Sequence, residues 1–139
     1  MAYKTRFTPK NRHKYVGTKT ELLCRSLWER RVCKFLDESA SVTKWSFEEI
    51  EIPYVHPIDK KVHRYIPDFL VQTERNNKKK SILVEVKPKK QVKLRESASK
   101  RDQIVFQINK AKWTAAQKFC EKHDIEFKIL TEEEIFHGS

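Results

Sequence analysis

Two short runs carry three ionisable groups at a spacing that could do chemistry: Ile66-Pro67-Asp68-Phe69-Leu70-Val71 and Ile82-Leu83-Val84-Glu85-Val86-Lys87. Both are rich in β-branched and aromatic residues and are separated by the polar run Glu74 to Ser81, so they read as two strands of a hairpin. Side chains alternate along a strand, which puts Glu85 and Lys87 on one face, Val84 and Val86 on the other, and Asp68 on the same side as Leu70. Antiparallel pairing would bring two carboxylates and one ammonium together at one end of the sheet. Such a cluster is costly unless a positive charge sits between the acids. Lys87 supplies one, and a hard divalent cation supplies more. With oxygen donors and no adjacent His or Cys, the cation expected is Mg²⁺, with Mn²⁺ as a substitute. A cation there would bind a phosphate and acidify a water while the lysine steadied the developing charge, which is the chemistry of phosphodiester hydrolysis. The competing reading is an edge hairpin with ordinary surface ion pairs.

The rest of the composition favours a nucleic-acid partner. The chain has 139 residues, a formal net charge of +11 and 38% hydrophobic residues, so it should fold as one domain with a strongly positive field. Nucleic acid is the first partner for such a field and an anionic membrane surface the second. No apolar run approaches the ~20 residues a membrane span needs, and the polar, basic N-terminus does not read as a secretory signal. Cys24, Cys33 and Cys120 form no CxxC pair, which suggests reduced thiols in a cytoplasm. A zinc site joining a cysteine to His13, His56 or His63 has no supporting ligand spacing.

The elements that must position the three groups can be read in order. Residues 1–17 carry Lys4, Arg6, Lys10, Arg12 and Lys14 with no acid, punctuated by Tyr3, Phe7 and Tyr15. They read as an extended basic arm, ordering on a phosphate backbone or partner, or as a solvated tail. Thr18-Lys19-Thr20-Glu21 has capping-box spacing and predicts a helix to about Asp37 with Leu22, Trp28, Val32, Phe35 and Leu36 on its buried face. Glu29 falls inside that face. Either it pairs with Arg25 one turn away, or it leans over the sheet toward Asp68 and Glu85; the second reading is favoured.

Three strands are expected next: Trp45 to Tyr54, Val62 to Val71, and Ser81 to Lys87, the last stopped by Pro88. Residues 88–101 hold Lys89, Lys90, Lys93, Arg95, Lys100 and Arg101 against one acid, Glu96, and read as a basic flap over the site, with a solvated charge run as the alternative. A second helix is predicted from about Asp102 to Lys122, with Ile104, Ile108, Ala111, Ala115 and Phe119 as its core stripe and Lys112 beside it. A strand from Ile125 to Leu130 and a short helix opened by Thr131-Glu132-Glu133-Glu134 close the chain.

Helix, three-strand meander, helix and strand, with Glu29, Pro67-Asp68 and Glu85-Val86-Lys87 in that order, is similar to the PD-(D/E)xK nuclease superfamily. Ser26-Leu27-Trp28-Glu29-Arg30 and Tyr65-Ile66-Pro67-Asp68-Phe69-Leu70-Val71 look like the TnsA-type transposon endonucleases. Over most of the chain the sequence also resembles the head-completion nucleases of T-even-type tailed bacteriophages. The resemblance implies an α/β, restriction-endonuclease-like core: a four-stranded mixed sheet flanked by helices, in a single domain over residues 18–139. It implies Mg²⁺ held by Asp68, Glu85 and the backbone carbonyl of Val86, with Glu29 as a further carboxylate to metal or water and Lys87 positioning or activating the water. Gln107 or Lys112 could add a further site residue. DNA contacts are expected from Lys89, Lys90, Lys93, Arg95, Lys100, Arg101, Lys112, Arg6, Lys10 and Arg12. The expected activity is a metal-dependent DNA endonuclease acting at the end of phage packaging, in virion and host cytoplasm, with portal or neck proteins as further partners and dimerisation one route to cutting both strands. The alternatives are a non-catalytic head or neck component with a nuclease-like fold, and a Holliday-junction, repair or transposon-end nuclease.

Overall fold

The computed structural model describes residues 4–137. In chain order the elements are β1 (Thr5–Phe7), a 3₁₀ turn (Arg12–Lys14), β2 (Leu22–Cys24), α1 (Leu27–Glu38), β3 (Val42–Phe47), β4 (Ile52–Val55), β5 (Val62–Tyr65), β6 (Phe69–Arg75), β7 (Lys78–Val86), α2 (Lys89–Val92), α3 (Lys100–Lys122), β8 (Glu126–Leu130) and α4 (Glu132–His137). The central sheet has four strands in the order β3-β6-β7-β8, antiparallel except for the β7–β8 pair, which α3 makes parallel by crossing over between them. The expected α/β class and mixed four-stranded sheet are therefore present.

Alternation sorts this sheet into two cores. Phe69, Val71, Val84 and Val86 face one way, into a cluster with Val32, Cys33 and Leu36 of α1, Leu22 and Cys24 of β2, and Trp45 and Phe47 of β3. Leu70, Leu83 and Phe127 face the other way, toward Ala116 and Cys120 of α3 and the hairpin residues Ile52, Tyr54 and Tyr65. Each large apolar side chain fully buried in these layers contributes about 1.5–3 kcal/mol.

The β6–β7 hairpin is tighter and longer than expected. Asn76 and Asn77 both take positive φ, 53° and 63°, as a two-residue turn between right-twisted strands requires. Lys78 to Lys80, expected in the turn, belong to β7.

Other expectations fail for tertiary reasons. The strands predicted over 45–54 and 62–71 are each interrupted, because Glu48 adopts φ +54° and releases β4 from the main sheet into a separate hairpin with β5. No helix starts at Thr18: residues 22–24 form β2, paired antiparallel with β1, and α1 starts after Ser26, whose side chain accepts from the Glu29 N–H. Phe35, expected in the core, is 58% exposed, and Asp37 takes a buried position instead.

The segment expected as an extended basic arm is folded in. Phe7 and Tyr15 are buried in the first core, and the Lys14 ammonium donates to the carbonyls of Leu36, Asp37 and Ser39, closing the C-terminal end of α1. On α3 the buried positions are Asn109, Ala116 and Cys120, whereas Ile104 is exposed. The first turns of that helix, Lys100 to Val105, are exposed.

Candidate active site

The register Phe69↔Val84 in β6–β7, carried one residue further, sets Asp68 directly opposite Glu85. Directly opposed residues share a face, here the side that also carries Leu70 and Leu83. The acids are 8% and 6% exposed. One oxygen of Asp68, Oδ2, accepts from the Val86 N–H at 2.7 Å. Glu85 Oε1 is buried with no hydrogen-bond partner, and Lys87 Nζ lies 3.8 Å from Glu85 Oε2.

Both carboxyls are displaced upward from ordinary acid behaviour. Asp68 is pushed well above its usual value by burial and then by the neighbouring Glu85, against the Val86 N–H, with Glu29 adding to the push and Lys87 opposing it. Burial also raises Glu85, opposed first by Lys87. Two acids sharing a poorly solvated site resist joint ionisation unless a cation joins them.

Glu29 reaches this pair from the opposite layer. It sits in the first turn of α1, at the end of the sheet, and its carboxyl is raised by burial and by Glu48, while Arg25 and Lys87 lower it. The anticipated Arg25–Glu29 pairing takes an unanticipated form. Glu29 Oε1 accepts the Arg25 backbone N–H at 2.9 Å, and the Arg25 guanidinium pairs with Glu48 instead. Ser26 thus caps the Glu29 N–H, while the Glu29 carboxyl returns one residue beyond the cap, to Arg25, so the capping spacing expected to open a helix at Thr18 and Glu21 operates at Ser26 and Glu29 in a shifted form.

Of the two candidates on the second helix, Lys112 turns toward the site. Its ammonium lies 6.0 and 5.8 Å from the ring centres of Tyr54 and Tyr65. Its proton affinity is lowered by burial and by Lys87, and raised by Glu85. Gln107 is exposed.

Tyr65, Arg25 and Glu48 were not singled out by sequence. The Tyr65 hydroxyl is buried without a hydrogen-bond partner, and after burial it is the Glu85 carboxylate that holds its proton on most strongly. Glu48 donates its N–H to the Asp68 carbonyl at 2.9 Å, and its positive φ is the kind of local strain that gathers near functional sites. The available signals were position alone: Arg25 immediately before the cap, and Tyr65 three residues before Asp68.

Glu29, Val86 and Lys87 form part of the wall of an open cleft of ≈ 1340 Å³, also lined by Arg25, Lys89, Lys90, Lys93 and Arg95. The segment expected as a flap therefore borders the site, although part of it is the short helix α2. Lys89 is tied down, its backbone N–H to Glu132 and its ammonium to Glu133. Arg101 lines a neighbouring groove with Lys93 and Arg95, and Lys100 is exposed at the start of α3. Arg6, Lys10 and Arg12 are not brought to the cleft. Arg6 pairs with Glu21, the Lys10 N–H binds Asp37, and Arg12 stacks on Tyr15. Among the described residues no helix is long and apolar enough to cross a membrane.

A mixed sheet whose central hairpin ends in two facing acids, with a lysine two residues beyond the second, has the architecture of a restriction-endonuclease-like nuclease. Residues 39–132 match the TnsA-like endonuclease N-terminal family, and the chain belongs to that family. The chain is also similar to the head completion nuclease of Enterobacteria phage T4, with 33% identity over 143 residues that cover 96% of this chain and 93% of that protein. The family match takes in Asp68, Glu85 and Lys87 but begins after Glu29.

Proposed function

We propose that the protein is a metal-dependent DNA endonuclease that hydrolyses phosphodiester bonds, acting on DNA at the end of phage head filling. The observation that carries this reading is the pair Asp68 and Glu85: two facing, buried acids, one with an unpartnered oxygen, beside a basic cleft. An all-oxygen donor set suits Mg²⁺, with Mn²⁺ as a substitute. Asp68, Glu85 and the Val86 carbonyl would hold the ion, with Glu29 as the further carboxylate. The ion supplies Lewis acidity toward a phosphate oxygen and lowers the pKa of water.

The chain's own groups do the rest. Lys87 offers its ammonium to the charge that develops on the phosphate, and Glu29 offers a carboxyl to orient water or take its proton. Lys89, Lys90, Lys93 and Arg95, with Lys100 and Arg101 further out, grip the DNA backbone without reading sequence. Lys112 adds a second ammonium behind Glu85. The 33% identity with the T4 head completion nuclease supports a place in virion assembly, inside the host cytoplasm and on the particle, with portal or neck proteins as partners. Each chain carries one such centre, so duplex cleavage calls for a dimer or two successive visits.

The test is cleavage of supercoiled plasmid, duplex, flap and four-way-junction DNA with Mg²⁺, Mn²⁺ or EDTA. Wild-type protein should nick or cut in both metals and not in EDTA, Asp68→Ala and Glu85→Ala should be inactive, and Lys87→Ala should lose single-turnover rate. Full activity of Asp68→Ala on any of these substrates refutes the assignment.

A further inference from the structure

A second constellation of ligand-type side chains lies on the β4–β5 hairpin. Register pairs Tyr54 with His63 and Ile52 with Tyr65, so Ile52, Tyr54, His56, His63 and Tyr65 share one face. The inner end of that face is buried against α3, and its outer end carries the two histidines, both only half-exposed. Their rings lie 4.5 Å apart, flanked by the Tyr54 ring at 6.2 and 5.9 Å. The connecting turn returns Asp59 between them: its Oδ2 lies 2.7 Å from His63 Nε2 and its Oδ1 3.9 Å from His56 Nδ1. One donor atom from each of His56, Asp59 and His63 falls within 4.8 Å of the other two.

The donors are held in place from outside. His56 Nδ1 accepts the Ile58 N–H at 3.2 Å, which makes Nδ1 the ring nitrogen that carries the lone pair. Asp59 Oδ1 accepts the Lys61 N–H at 2.9 Å, and the turn is closed by His56 N–H to Lys61 O and Lys60 N–H to His56 O, each at 2.9 Å.

We propose that His56, Asp59 and His63 form a site for a borderline divalent transition-metal ion of the Zn²⁺ class, distinct from the all-oxygen acids at the sheet end. Two imidazoles and one carboxylate with room for water or a fourth donor is a zinc-type set, and nitrogen donors disfavour Mg²⁺. No cysteine takes part. Binding replaces the hydrogen bond between His63 and Asp59 and the contact from Ile58. The ion's role is to clip the hairpin. Among the described residues β4 and β5 pair only with each other; α3 covers the inner end of the pair, the ion ties its outer end, and this hairpin carries Tyr65 to the side of Glu85.

The experiment is calorimetric titration of the full chain carrying Asp68→Ala and Glu85→Ala, so that the nuclease acids take no ion, with Zn²⁺ and separately Mg²⁺; Co²⁺ absorption reports the ligand field. One Zn²⁺ per chain, no heat from Mg²⁺, and visible Co²⁺ bands are expected. His56→Gln and His63→Gln should each weaken Zn²⁺ binding at least about tenfold and abolish the bands. Zn²⁺ should raise Tm in the parent and not in the double His→Gln variant. Zn²⁺ binding unchanged in that double variant, no Zn²⁺ binding by the parent, or equal binding of Mg²⁺ overturns the proposal.

Discussion

The two ends of α1 present two buried charged clusters that are solved in opposite ways. At the C-terminal end, Lys14 and Asp37 are 8% and 1% exposed, yet their polar groups are satisfied. The ammonium donates to three carbonyls, and the Asp37 carboxylate accepts the N–H groups of Lys10 and Asn11. Beyond the N-terminal end, Asp68 and Glu85 are as deeply placed, but Glu85 Oε1 and the Tyr65 hydroxyl have no hydrogen-bond partner, and both acids are pushed toward their protonated forms. A saturated cluster needs nothing further and holds the chain together. An unsaturated one destabilises the fold by itself, and it persists where something outside the chain completes it.

The sharpest way to break that division is Asp68→Asn, which keeps an oxygen for the Val86 N–H and removes the charge. Cleavage should fall by at least about 10²-fold. Stability should not fall with it. An acid whose pKa is raised by folding stabilises the native state when protonated, and that contribution is lost as pH rises through the raised value. Replacing Asp68 removes part of this loss, so Tm of the variant relative to wild type, measured without metal, should become more favourable as pH climbs from 3.8, the ordinary value, toward neutrality. A variant that is less stable than wild type at pH 7 would put Asp68 with the saturated kind.

Lys14→Met is the converse. It keeps most of the buried volume but leaves the Leu36 and Ser39 carbonyls without the ammonium, takes one of two donors from the Asp37 carbonyl, and removes the charge that offsets the Asp37 carboxylate. The expected cost is about 3–5 kcal/mol, seen as a fall in Tm of roughly 10 °C or more. Cleavage per folded molecule at low temperature should be unchanged. Lost turnover with an unchanged Tm would show that this end also serves the chemistry.

The asymmetry also explains what was legible in the sequence. Strand alternation around Asp68, Glu85 and Lys87 is a local property, and both cores respect it, so the acids fall on one face as read. The Lys14–Asp37 knot was hidden because one lysine among 30 cationic residues carries no mark of burial, and the excess charge of residues 1–17 outweighed the apolar Phe7 and Tyr15. The break at Glu48 was invisible too: Phe47-Glu48-Glu49-Ile50-Glu51-Ile52 continues to look like a strand, and only the positive φ at Glu48 turns it into two. On α3, Ile104 and Ile108 have the period of a core stripe, but a helix can outrun its sheet, and periodicity does not say where the sheet ends. The two Ser/Thr-x-x-Glu boxes, at Thr18 and Ser26, have equal local merit. Pairing of Leu22–Cys24 with Thr5–Phe7 decides between them.

Glu29 belongs to both kinds of cluster, and the smallest expected effect therefore sharpens the comparison most finely. Its Oε1 caps the Arg25 N–H, a structural duty, while its charge acts on Asp68 and Lys87, a functional one. Glu29→Gln retains an oxygen for the cap and deletes the charge, so Tm should hold while cleavage falls by less than in Asp68→Asn. Ser26→Ala removes the other half of the cap and should cost about 1 kcal/mol with cleavage nearly unchanged at low temperature. If the two duties are separable, the variants differ in which quantity moves. A Glu29→Gln variant that loses Tm and keeps its cleavage rate would assign Glu29 to the helix alone and leave Asp68, Glu85 and Lys87 to act without it.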